Sequence, residues 1–70
     1  VADVVSNVSG VVMRILVKQG DVVSADQDIL AVESMKMEMM VLSTAKGTVQ
    51  KIHVAVEDFV QEGQVILTLG

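Results

Sequence analysis

One lysine of this 70-residue chain has an unusual setting. Lys36 stands between Met35 and Met37, in the run Glu33-Ser34-Met35-Lys36-Met37-Glu38 at the middle of the sequence. A lysine amine attacks activated acyl groups once it has lost its proton, although only about one in a few thousand exposed lysines is neutral at pH 7. Other ingredients of catalysis are missing: there is no Cys, the single His53 has no nucleophile paired with it, and neither a metal-ligand spacing nor a phosphate-cradling glycine loop occurs. The chemistry on offer is acylation of an amine, assisted from outside the chain.

Positioning such an amine falls to a small core. Seventy residues suffice for one domain, taken as residues 1–70, and half of them are hydrophobic. Sixteen are Val, four Ile and five Leu, while Phe59 is the only aromatic. Branching at Cβ restricts χ1 and suits a pleated strand, so the composition predicts β structure. Nine acidic against five basic residues give a net charge of −4 without any Lys/Arg cluster, which argues against nucleic acid as a partner. The longest apolar runs, such as Met39 to Leu42, are four residues, far from the ~20 needed to cross a bilayer, and no secretory signal is expected.

An internal repeat organises the chain. Residues 10–33 align with 47–70 at a constant offset of 37, with nine identities: Gly10/Gly47, Val12/Val49, Ile15/Ile52, Val17/Val54, Asp21/Asp58, Val23/Val60, Gln27/Gln64, Ile29/Ile66 and Leu30/Leu67. Val4/Val41, Ser6/Ser43 and the conservative pair Arg14/Lys51 extend it. Neither copy is large enough to bury its own apolar face, so two copies packed face to face are expected. Strand signals fall at Ala2 to Val5, Val11 to Val17, Val22-Val23 and Ile29 to Ser34, and again at Met39 to Leu42, Thr48 to Val54, Phe59-Val60 and Val65 to Leu69. Polar or glycine-containing turns separate them; a helix over Val56 to Gln64 is disfavoured because the equivalent stretch holds Gly20 and Val22-Val23. The fold predicted is all-β: a flattened barrel-sandwich hybrid of two four-stranded sheets with a quasi-two-fold internal repeat. The link between the copies, Met35 to Glu38, then puts Lys36 at the tip of a tight, exposed hairpin.

With the motif central to the repeat, the chain resembles biotin carboxyl carrier domains of the biotinyl/lipoyl attachment family, whose usual motif is Ala-Met-Lys-Met. The resemblance covers all seventy residues; Ser34 replaces the usual Ala, and the thumb loop of some bacterial members is absent. Glycine-containing turns on both sides of the modified lysine are a family feature, matched by Gly20 and Gly47. The resemblance implies covalent biotin on Lys36, attached by a biotin protein ligase, and a shuttle between biotin carboxylase and carboxyltransferase without catalysis by the domain itself. It implies recognition of the lysine by these partners through Met35 and Met37; Glu33 and Glu38, which flank the motif, read by position as further recognition residues that orient a partner. A freestanding domain would be cytoplasmic; otherwise it would lie where its parent carboxylase does.

Lipoate is the alternative cofactor, although lipoyl domains usually read Asp-Lys-Ala, and an unmodified barrel-sandwich interaction module is the alternative of another class. The remaining residues carry structural readings. Asp21 and Asp58 are expected to bond nearby backbone amides, and Gly10, Gly20 and Gly47 to be backbone turn positions. His53 reads as a strand side chain, Glu33 and Glu38 as solvated or as a like-charged cross-strand pair, and at least one of Met39 and Met40 as core.

Overall fold

The computed structural model describes residues 2–70; Val1 falls outside them. Eight strands follow one another: β1 (Ala2–Val5), β2 (Gly10–Ile15), β3 (Val22–Val23), β4 (Asp28–Ser34), β5 (Met37–Leu42), β6 (Gly47–Ile52), β7 (Phe59–Val60) and β8 (Val65–Leu69). They form two antiparallel sheets, β1-β8-β6-β3 and β5-β4-β2-β7, and no helix occurs among the described residues. The all-β barrel-sandwich expected from eight short strand signals and the internal repeat is present. Its boundaries differ in detail: β2 and β6 end two residues sooner than predicted, at Ile15 and Ile52, and β5 begins two residues sooner, at Met37.

A shift of 37 residues carries β1, β8, β6 and β3 onto β5, β4, β2 and β7, so the repeat exchanges the two sheets strand for strand. This corrects the picture of two copies packed face to face. Each sheet takes two strands from each copy, because β1 and β3 of the first copy lie in one sheet and β2 and β4 in the other. The halves are interleaved, and neither has a core without its partner.

Repeated polar residues explain themselves as turn locks. Asp21 and Asp58 accept from the Lys18 and Ala55 amides at 3.0 and 2.9 Å, as expected of Asp at turns. Gln27 and Gln64 accept from the Ser24 and Gln61 amides, both at 3.0 Å, and the buried Ser6 and Ser43 hydroxyls donate to the Val8 and Ala45 carbonyls, both at 2.6 Å. Six side chains thus hold three pairs of corners in the absence of any proline.

The core is built from Val4, Val12, Val23, Ile29, Leu30, Val32, Val41, Val49, Val60, Ile66, Leu67 and Leu69, with Val17 and Val54 also buried and Ile15 and Ile52 packed against it. Ile29 and Leu30 adjoin in sequence, as do Ile66 and Leu67, and strict alternation would expose one of each pair. Register shifts prevent that. Asp28 and Leu30 pair with Leu42 and Val41, leaving Ile29 as the extra residue of a bulge. At the equivalent place in the other sheet, Val65 and Leu67 pair with Val5 and Val4, and Ile66 is the extra residue. The two bulges bend equivalent strands at equivalent places, which turns a flat sandwich into one that begins to close on itself.

Candidate functional site

The strand pair β4–β5 places the central motif. Six register pairs run from Asp28↔Leu42 to Ser34↔Met37, so the connection is a two-residue turn, Met35-Lys36, rather than the four-residue link expected. Both turn residues have positive φ, 54° and 62°. Positive φ at both central positions is the mark of a type I′ turn, whose twist matches that of the flanking strands and which ordinarily takes Asn-Gly. The left-handed region costs Met and Lys about 1 to 2 kcal/mol each. The six-pair ladder behind the turn holds it there.

Lys36 is exposed, as are both neighbouring methionines: Met35 is 92% accessible and Met37 63%. No ion pair to Lys36 forms among the described residues, and no cavity encloses it. The lysine therefore stands at the surface on a backbone with little freedom.

Behind the tip, Glu33 and Glu38 are direct cross-strand partners, the like-charged arrangement foreseen as one possibility. Arg14, on β2, relieves it: Nη2 donates to Glu38 Oε2 at 2.9 Å. Arg14, Ala31 and Met40 are consecutive register partners across β2, β4 and β5, and the small Ala31, fully buried, leaves room for the long side chains on either side of it. Sequence reading passes over Arg14; its repeat pairing with Lys51 is visible, but its reach to Glu38 depends on sheet order. Met39 and Met40 are both exposed, at 41% and 37%, which corrects the expectation that one would be core. β5 is an edge strand, and of its six residues only Val41 is buried.

Gly10 and Gly47 are also corrected: they open strands β2 and β6 and are not turn positions. A Cβ on Gly10 would collide with the Glu33 carbonyl oxygen and approach Val32 Cγ1 to 2.8 Å, so a glycine here lets β2 lie close beside β4 just behind the hairpin. Gly47 is the equivalent contact in the other sheet, where a Cβ would stand 3.0 Å from the Gly70 carbonyl oxygen. Gly20 does lie in a turn, with φ of 94°. His53 follows β6 directly, exposed, its Nε2 2.8 Å from Thr68 Oγ1, whose hydroxyl donates to Asp3 Oδ1 at 3.1 Å. It is remote in sheet and chemistry from the lysine, and no metal-binding group of His, Cys, Asp or Glu forms among the described residues.

In a body 32 Å long, the hairpin lies at the opposite end from Ala2 and Gly70. β2 runs from Gly10, beside Glu33, away from the hairpin, and the chain that leaves it reaches Gly20 and Asp21, which bond to Val49 next to the Gly70 end. Ala2 pairs with Leu69 there, as Met39 pairs with Val32 at the hairpin.

This duplicated sandwich with a lysine on the hairpin between its halves matches the family described as "Biotin-requiring enzyme" over residues 1–69. The chain belongs to the biotin/lipoyl attachment family. It is 34% identical over 68 residues to the "Biotinylated protein TB7.3 homolog" of Mycobacterium leprae, covering 97% of this chain and 96% of that protein. It is 43% identical over 65 residues, 93% of this chain, to the dihydrolipoyllysine-residue acetyltransferase component of the pyruvate dehydrogenase complex of Pseudomonas aeruginosa, of which it spans 12%. Among solved structures, urea carboxylase of Kluyveromyces lactis superposes with a TM-score of 0.89 at 29% identity, over 99% of this chain and 6% of that one. This attachment domain is therefore similar both to a small protein of its own size and to short stretches of much longer enzymes.

Proposed function

We propose that this attachment domain carries biotin, joined as an amide to Lys36 Nζ. The observation that carries the reading is the site itself: a lysine with no ion pair among the described residues on a two-residue turn, between two methionines that are exposed where a packing role would bury them. The residues fit the group. An unpaired amine has no ion pair to break before acylation, and a turn held by a strand ladder delivers it in one orientation to a ligase that supplies the desolvation and the base. Loss of the lysine charge takes the net charge from −4 to −5. Bound biotin would supply a ureido nitrogen able to carry a carboxyl group. Everything else falls to the domain's own residues: Lys36 tethers, Met35 and Met37 present an apolar, deformable surface to ligase and carboxylase, and Arg14 holds Glu38 beside them. The partners on this reading are a biotin protein ligase, a biotin carboxylase and a carboxyltransferase, and the likeness to urea carboxylase supports them. The domain contributes no catalytic group.

Lipoylation of the same lysine is the second reading, favoured by the 43% identity to the acetyltransferase component. Met35 and Met37 oppose it, since Asp-Lys-Ala is the usual lipoyl setting. Co-expression with a biotin ligase or a lipoate ligase, followed by intact-mass measurement, decides between them. Stoichiometric biotinylation that disappears in Lys36→Arg supports the proposal; lipoylation alone, or biotin on Lys18, Lys46 or Lys51, overturns it.

A further inference from the structure

All five methionines of the chain are exposed: Met13, Met35, Met37, Met39 and Met40. All belong to one sheet and its hairpin, and with no Cys they are the only sulfur in the protein. Methionine in so small a domain ordinarily fills gaps in the core, yet this core is made of Val, Ile and Leu throughout. The two thioethers that flank Lys36 are the most exposed of the five, at 92% and 63%. Exposure decides how readily a thioether is oxidised, and no cysteine of this chain competes for the oxidant.

We propose that Met35 and Met37 form a reversible oxidation site that controls acylation of Lys36 by its ligase; the inference rests on Lys36 being the attachment lysine. The oxidant is hydrogen peroxide or an organic hydroperoxide. The sulfur lone pair attacks the OH-bearing peroxide oxygen, an S–O bond forms as the O–O bond breaks, and the second oxygen leaves as hydroxide or alkoxide, which takes the proton from the transferred oxygen to become water or alcohol as the sulfoxide forms. Sulfur is oxidised by two electrons and the peroxide reduced by two. The product sulfoxide is polar and chiral where the thioether was apolar. Exposed in the free domain, it costs the fold little, because neither side chain is part of the core. Within a ligase groove shaped for thioethers it is a polar group buried without a partner, and the penalty falls on the encounter with the ligase.

The test uses the unmodified protein, treated with hydrogen peroxide and mapped by peptide mass spectrometry, then offered to biotin protein ligase with biotin and ATP. Met35 and Met37 should gain oxygen ahead of Met13, Met39 and Met40. The initial rate of biotinylation should fall about tenfold, the change expected from one unpartnered polar group in an apolar contact, while the melting temperature holds. Treatment with reductases for both sulfoxide epimers should restore the rate. Met35→Leu/Met37→Leu, which keeps the other three methionines, should show the same rate before and after peroxide. An undiminished rate in the oxidised protein, an equal loss in the double-leucine variant, or a loss that tracks unfolding overturns the proposal while leaving the attachment reading intact. Failure of the untreated protein to accept biotin on Lys36 overturns both.

Discussion

Replacing Met35-Lys36 with Asn-Gly should make the domain more stable while destroying its site. Both residues adopt positive φ, 54° and 62°, where an L side chain costs about 1 to 2 kcal/mol. Glycine at position 36 removes that cost but surrenders about 0.5 to 1 kcal/mol of chain entropy, for a net gain of roughly 0.5 to 1 kcal/mol. Asn at position 35 tolerates the left-handed region and recovers part of the first penalty, so the pair should gain about 1 to 2 kcal/mol. In a domain of this size that is a rise in melting temperature of roughly 4 to 16 °C. Thermal and urea denaturation of M35N/K36G, Lys36→Gly and Lys36→Ala supply the measurement. Alanine is the decisive control, because it deletes the lysine side chain but keeps the strained backbone: Lys36→Gly should exceed Lys36→Ala by the net gain above. Equal stability of the two, or an Asn-Gly variant no firmer than the parent, would refute the claim that the tip is strained and held by the β4–β5 ladder.

Five further substitutions test the core, the close approach and the surface ion pair. Leu30→Ala or Ile66→Ala, each removing a fully buried side chain, should cost about 2 to 5 kcal/mol in urea denaturation, enough to unfold so small a domain. Gly10→Ala drives a methyl into the Glu33 carbonyl and should lower the melting temperature, whereas Gly63→Ala, with nothing within 4 Å of its Cβ, should show only the penalty of its φ of 89°. Glu38→Gln breaks the Arg14 pair, whose side chains are 56% and 47% exposed; it should cost under about 1 kcal/mol, with the deficit shrinking as salt is added.

The repeat made the succession of strands along the chain and the central hairpin readable, since identical residues at a fixed offset mark equivalent strands and leave Lys36 between them, but not the interleaving of the two copies in each sheet. Asp21 and Asp58 were readable for the same reason, as turn residues met twice. Three things depended on pairings between distant strands. Ile29 and Leu30 are both buried because of a bulge, and a bulge is a mismatch between two strands that neither strand's own pattern discloses. Met39 and Met40 sit on a sheet edge, and whether a strand is central or at the edge is a matter of topology. Gly10 looked like a turn because glycine usually means one, whereas its neighbour across the sheet, Glu33, is what requires it. The positive φ of Met35 and Lys36 was hidden for a further reason: neither residue type favours that conformation, and only the register of Ser34 with Met37 imposes it.

The quasi-two-fold symmetry also explains how so poor a turn sequence is tolerated. Strands β1 and β8 pair as β5 and β4 do, with Ala2↔Leu69 in the place of Met39↔Val32, yet no turn joins Ala2 to Leu69. That ladder stands without a hairpin connection. The β4–β5 ladder therefore has no structural need of a well-formed turn either, having six register pairs and the Arg14–Glu38 contact behind it. Residues at the tip are released from the task of nucleating the hairpin, and their types are not set by the turn: Met35 and Lys36 occupy positions where stability alone would choose Asn and Gly. A longer, looser loop would relieve the strain but let the amine wander. Two residues bound at both ends by the ladder hold the Lys36 backbone at one exposed point, so the strain accompanies a fixed point of attachment from which the flexible lysine side chain extends.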